Sequence, residues 1–238
     1  MTANPAPESR LYLERPLYTI GEAARLLEIG QPKLRRWLEG ATVRGVQYAP
    51  VIRETAMDTD EVTWAEFVEA GYLRGYRDQT SLHKLRKFIS VAREAWSVKY
   101  PLAEIRPEVL RPEGKLLAEL KSIEGQADFA PADSMLDVMS GELVMREPLK
   151  RYLETVEFDA SGVVARMFPL GRTAHVAIDP QLTFGLPQVR GIRTETLAEE
   201  FATGVPREQL TADYRLSDSE VEEALRWEMR LIGKGKAA

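Results

Sequence analysis

Two short helix signals separated by one tight turn near the N-terminus constrain the fold of this chain more than any other feature. Thr19-Ile20-Gly21-Glu22 has the form of a capping box, in which the Thr19 oxygen accepts from the amide three residues on and the Glu22 carboxylate reaches back. Ile20, Ala23, Ala24 and Leu27 then recur at the spacing that puts one apolar stripe on a helix, and Gly30 supplies a stop. Pro32 suits the first turn of a second helix, whose Leu34, Trp37 and Leu38 face back while Lys33, Arg35 and Arg36 face out. This pairing predicts a helix-turn-helix. The stretch from Arg44 to Arg53, with β-branched residues around Gly45 and Pro50, reads as an extended segment or small hairpin, which here would be a wing.

Helical spacing returns over about 64–76, through Phe67 and Tyr72, and over about 82–96, through Leu85, Phe88, Ile89 and Ala92. Pro101, Pro107 and Pro112 break it and mark a boundary. From Lys115 to about Ile178 short apolar runs alternate with turn residues. Val156 and Phe158, the loop Asp159-Ala160-Ser161-Gly162 and the alternation from Val163 to Phe168 predict a hairpin there. Thr194 then reads as the cap of a helix carrying Leu197, Ala198 and Phe201, which Gly204 ends. Pro206 opens a second helix with Leu210 and Tyr214, and Ser217 with Glu220 makes a capping box for a last one that buries Val221, Ala224, Leu225 and Ile232. The expected class is α+β, mainly helical. A flexible tail (1–16) would precede a winged helix-turn-helix with two further helices (17–100), a small antiparallel β region (101–178), a three-helix, helix-turn-helix-like domain (179–232) and a frayed end (233–238).

Zero cysteines in 238 residues remove disulfides, thiol nucleophiles and Cys-based zinc sites, and two histidines, His83 and His175, are too few for a His-rich metal site. The net charge of -5 conceals an asymmetry: residues 1–100 carry 15 Lys and Arg against 13 Asp and Glu, whereas 101–238 carry 17 against 24. A polyanionic partner would meet the first part. No apolar run approaches the roughly 18 residues of a membrane span, and residues 1–10 lack a signal-peptide core. The expected location is the cytoplasm, away from membranes.

Tyr18-Thr19-Ile20-Gly21-Glu22-Ala23-Ala24-Arg25-Leu26-Leu27, followed by Leu34-Arg35-Arg36-Trp37, resembles the winged helix-turn-helix of MerR-like regulators. The run Ile178-Asp179-Pro180, Phe184-Gly185-Leu186-Pro187, Val189-Arg190-Gly191-Ile192-Arg193, Gly204, Pro206, Tyr214 and Val221-Glu222-Glu223-Ala224-Leu225 is similar to the small helical domain of VapB-like antitoxins. Val205 departs from that pattern, because a polar cap is expected before Pro206. The order of parts resembles the longer VapB-type antitoxins paired with PIN-domain ribonucleases. That resemblance implies operator binding and neutralisation of a PIN-domain ribonuclease toxin.

Lys33, Arg35 and Arg36 are the candidate DNA-binding residues of the second helix, which would present them to base edges in the major groove. Arg44, Tyr48 and Arg53 would be wing contacts to phosphate or the minor groove. A solvated cationic face is the alternative for both groups. Arg74, Arg77, Lys84, Arg86 and Lys87 form a second basic stretch, open to a phosphate role or plain solubility. The last helix carries Glu220, Glu222 and Glu223, which a phosphate backbone would repel, so that module reads as protein-binding or dimerising. No P-loop, Rossmann glycine motif, zinc-protease motif or nucleophile elbow occurs, and His175 lacks a nucleophile beside it. Asp133 with Asp137 and Glu199 with Glu200 read as surface pairs. The reading is a non-enzymatic, dimeric antitoxin-repressor without cofactor or metal. The alternative is a MerR-like transcriptional regulator holding a small-molecule effector in the middle sheet.

Overall fold

Thr19 does what its sequence context dictates: its oxygen accepts from the Glu22 amide at 3.2 Å, and Glu22 accepts in return from the Thr19 amide at 2.7 Å. This box starts α1 (Ile20–Leu26), which ends beside the turn Leu27 to Gly30 and is followed by α2 (Gln31–Glu39). A computed structural model describes residues 11–76, 97–104 and 151–235, together with helical residues between 82 and 94. Strand β1 (Pro16–Thr19) pairs antiparallel with β4 (Glu61–Thr63), while β2 (Ala41–Val43) and β3 (Val46–Tyr48) form a hairpin between them. A second capping box, Thr63 with Glu66, opens α3 (Trp64–Tyr76).

The middle hairpin is β5 (Val156–Phe158) with β6 (Val164–Met167), where the sequence placed it. Single bridges, Met167 to Ile178 and Ala177 to Gln188, carry the ladder on to β7 (Gln188–Val189), which pairs with β8 (Ile192–Arg193). Three helices follow: α4 (Thr194–Ala202), α5 (Arg207–Tyr214) and α6 (Asp218–Gly235). The class is therefore α+β with small antiparallel sheets. Among the described residues no helix is long and apolar enough to cross a membrane.

Among the described residues one hydrophobic cluster runs from Leu13, Trp37 and Trp64 to Val221 and Leu231. Long-range hydrogen bonds fix its halves together. Trp64 Nε1 donates to the Val164 carbonyl at 2.8 Å, and the Tyr18 hydroxyl donates to the Gly185 carbonyl at 2.6 Å. Both anchors are buried, where unpaired polar groups are costly.

Several sequence expectations are corrected here. The tail does not extend to residue 16: Leu13 is buried in the core and the Tyr12 hydroxyl donates to Asp159 at 2.9 Å. At Pro101, where the boundary is expected, Tyr100, Leu102 and Ala103 are buried and the Ala103 carbonyl accepts from the Val164 amide. Thr194 is the first helical residue rather than the cap, its hydroxyl turned inward to Glu228 at 2.6 Å. Phe201 and Ile232 are exposed, while Trp227 and Leu231 fill the core, since the end of α6 turns that side to α1. The helix also continues to Gly235, into the expected frayed end at 233–238. The expected β runs over 115–150, with Asp133 and Asp137, lie outside the described residues, as do His83 and the expected tail residues 1–10 and 236–238.

Candidate nucleic-acid interface

Helix α2 is amphipathic because its apolar residues fall on one face: Leu34, Trp37 and Leu38 are buried, while Gln31, Pro32, Arg35 and Arg36 are exposed. Gly30 at its N-cap offers no side chain, so no side-chain oxygen caps the first-turn amides. Lys33, half-buried on the flank, holds its ammonium 5.2 Å from the Trp37 ring centroid, a cation–π distance. Arg35 donates to Asp60 at 2.6 Å, but both side chains are about half exposed, and such surface pairs are weak. Arg36 is exposed and forms no ion pair among the described residues.

The β2–β3 hairpin stands where the wing is expected. Its two-residue turn, Arg44-Gly45, has positive φ at both positions, the pattern whose twist suits a tight hairpin. Arg44 therefore sits at the exposed tip. The register sets Val43 opposite Val46 and Ala41 opposite Tyr48, so one wing face carries Val43, Val46 and Tyr48, all more than two-fifths exposed. Gly40 makes the close approach of wing to helix possible. At φ +78°, a Cβ there would lie 2.3 Å from the Tyr48 carbonyl oxygen.

Arg53 does not join this surface, which corrects the expected wing contact. Its side chain is only 4% exposed, so no phosphate can reach it. Nε donates to Glu66 Oε1 at 2.7 Å, Nη2 to Glu66 Oε2 at 3.0 Å and to the Glu61 carbonyl at 2.6 Å, and Nη1 to Glu39. The other Glu39 oxygen accepts from the Met57 and Asp58 amides at 2.8 and 2.9 Å. Arg53 thus ties the end of α2, β4 and the start of α3 to the loop behind the wing. The Val51 and Ile52 amides, both donating to the Trp37 carbonyl, complete that tie.

The second basic stretch has a similar fate where it is described. Arg86 donates to the Pro50 and Ala49 carbonyls at 2.8 and 2.7 Å, Arg93 to the Ile52 carbonyl, and Arg74 to Glu28 at 2.7 Å. These arginines brace the loop after the wing and the turn after α1. Arg77 and the side chains of Lys84 and Lys87 lie outside the described residues.

The acidic residues of α6 are also structural. Glu220 caps its own helix through Ser217, and Glu223 accepts from the His175 and Val176 amides at 2.7 and 2.9 Å. Glu222 pairs with Arg226 and, at 3.5 Å, with Arg207. Burial pushes the Glu228 carboxyl above its usual range, against the Thr194 hydrogen bond. His175 lies on an exposed bend rather than in a strand. Glu200 is no idle surface acid either, since it accepts from the Tyr214 hydroxyl.

Residues 176–227, from the end of the middle ladder into α6, match the family described as a protein of unknown function, DUF433. The chain is 27% identical over 222 residues to the "Uncharacterized protein Rv2308" of Mycobacterium tuberculosis, covering 90% of each. It is 24% identical over 237 residues to the "Putative antitoxin VapB45" of the same organism, covering 92% of this chain and 96% of that one. In fold it resembles the crystal structure of Rv2018 from M. tuberculosis, with a TM-score of 0.68 at 21% identity, over 90% of this chain and 99% of that one.

Proposed function

We propose that this protein is the antitoxin of a type II toxin-antitoxin pair, neutralising a PIN-domain ribonuclease by protein binding and repressing its own operon through the N-terminal head. The observation that supports the reading is likeness over nearly the full length to a protein named "Putative antitoxin VapB45". The exposed cations of α2 and the wing tip support the DNA-binding half, because a helix of that chemistry beside a hairpin suits a groove flanked by phosphate. Co-expression with the neighbouring gene product, followed by mass measurement of the purified complex, tests the toxin half. A chain that purifies without that product, under conditions where both are soluble, would refute it.

Replacing Arg35 and Arg36 together by Ala should weaken binding to the gene's own upstream DNA at least tenfold. A base contact by arginine is worth about 1–3 kcal/mol, and each lost phosphate contact flattens the slope of log affinity against log salt by about one unit. Arg36→Ala should account for more of the loss than Arg35→Ala, since Asp60 already holds Arg35. Neither residue touches the buried face of α2, so the melting temperature should hold. Normal operator binding by the double variant would sink the assignment.

The protein should also act as a homodimer, because one head neutralises few phosphates while paired heads read half-sites about one helical turn apart. Sedimentation with and without operator DNA checks this. A monomer at high micromolar concentration in both conditions would contradict it.

A further inference from the structure

A cavity of about 400 Å³ lies where the turn after α1 meets α3, β6 and α6. Small-molecule sites fall in the range of roughly 300–1,000 Å³ and are mostly apolar with a few polar groups. This one fits that description. Leu26, Leu27 and Met167 line one part, and the rings of Tyr72 and Tyr152, edge to face at 4.9 Å, line another.

Its polar groups are mostly donors. Arg74 and Arg151 stand in the wall, and the acid beside them, Glu28, is already held by Arg74 at 2.7 Å and by Arg230. With its side chain only 2% exposed and two guanidinium groups on it, Glu28 adds little negative potential to the space. Trp227 completes the wall.

We propose that this cavity binds a small carboxylate with a flat apolar body. The rings of Tyr72 and Tyr152 and the leucines would take the body, and Arg151 with Arg74 would take the carboxylate. Two arginines against one acid, itself held by guanidinium groups, favour an anion over a cation. This site is independent of the DNA-binding reading, since none of its residues belongs to the exposed face of α2 or to the wing.

Titration of the full-length protein with 2-naphthoate, and with neutral 2-naphthamide as control, tests the proposal by calorimetry and tryptophan emission. Saturable one-to-one binding is expected, at least tenfold tighter for the acid. Arg151→Ala, at an exposed position, should erase most of that preference and leave the melting temperature unchanged. Trp227→Phe should remove the ligand-induced change in emission while binding persists by calorimetry. Absence of saturable binding, equal affinity for acid and amide, or naphthoate affinity unaffected by Arg151→Ala would overturn it.

Discussion

Arg53→Ala should destabilise the protein by about 3–5 kcal/mol, the usual cost of removing one partner from a buried ion pair. The guanidinium is the common donor for Glu66, Glu39 and the Glu61 carbonyl, so its loss leaves two carboxylates short of partners in a place where water cannot replace them. Urea unfolding at neutral pH reads the effect. The double variant Arg53→Met with Glu66→Gln should cost less than the sum of its single changes, because the uncompensated charge at Glu66 goes with its partner. DNA binding separates this role from the one the sequence suggested. An arginine on phosphate would, when lost, reduce the salt slope by about one unit and spare stability. An arginine at the wing root should cost stability first, and a variant stable to within about 1 kcal/mol of the parent would refute that role.

Arg53 also shows why sequence reading reached the elements and missed part of the site. Capping boxes at Thr19 and Ser217, the Pro32 helix start and the hairpin around Asp159 are local devices, written within four or five residues, and each stands in the structure. Thr63 with Glu66 is a device of the same local kind, although the spacing of Phe67 and Tyr72 alone predicts that helix. Burial of an arginine is different, because it depends on Glu39 and Glu66, 14 and 13 residues away, arriving at one point. Charge next to a predicted wing reads as exposed by default, and only tertiary pairing overrides that. The same holds for Glu223, whose backbone partners lie 48 and 47 residues upstream, and for Glu28, which joins α3 to α6. Ile232 fits the apolar stripe of α6 by spacing, but the face that meets α1 is centred on Trp227 and Leu231, which leaves Ile232 pointing outward.

A carboxyl that sequence reasoning did not single out gives the second large effect. Glu69 on α3 is fully buried: one oxygen accepts from the Leu102 amide at 3.1 Å and the other has no hydrogen-bond partner. Burial pushes its pKa up to about 8; Arg93 and the Leu102 amide pull the other way, while Glu66 and Glu104 reinforce the rise. The unfolded chain should release this proton near 4.5, the ordinary value of a glutamate carboxyl. Between those limits the folded state holds a proton that the unfolded state does not. Stability therefore falls as pH rises through that window, by at most about 1.4 kcal/mol per pH unit from this group, and levels off above it. Glu69→Gln keeps an acceptor for the Leu102 amide and has no charge to bury, so its stability should lack this contribution. Its advantage over the parent should be small near pH 5 and grow to a few kcal/mol, on the order of two to four, near pH 8. Denaturant unfolding of both proteins at three pH values across the window measures the difference. Parallel curves would mean that Glu69 is ionised in the folded protein, with Arg93 compensating its charge more fully than the burial of the site allows.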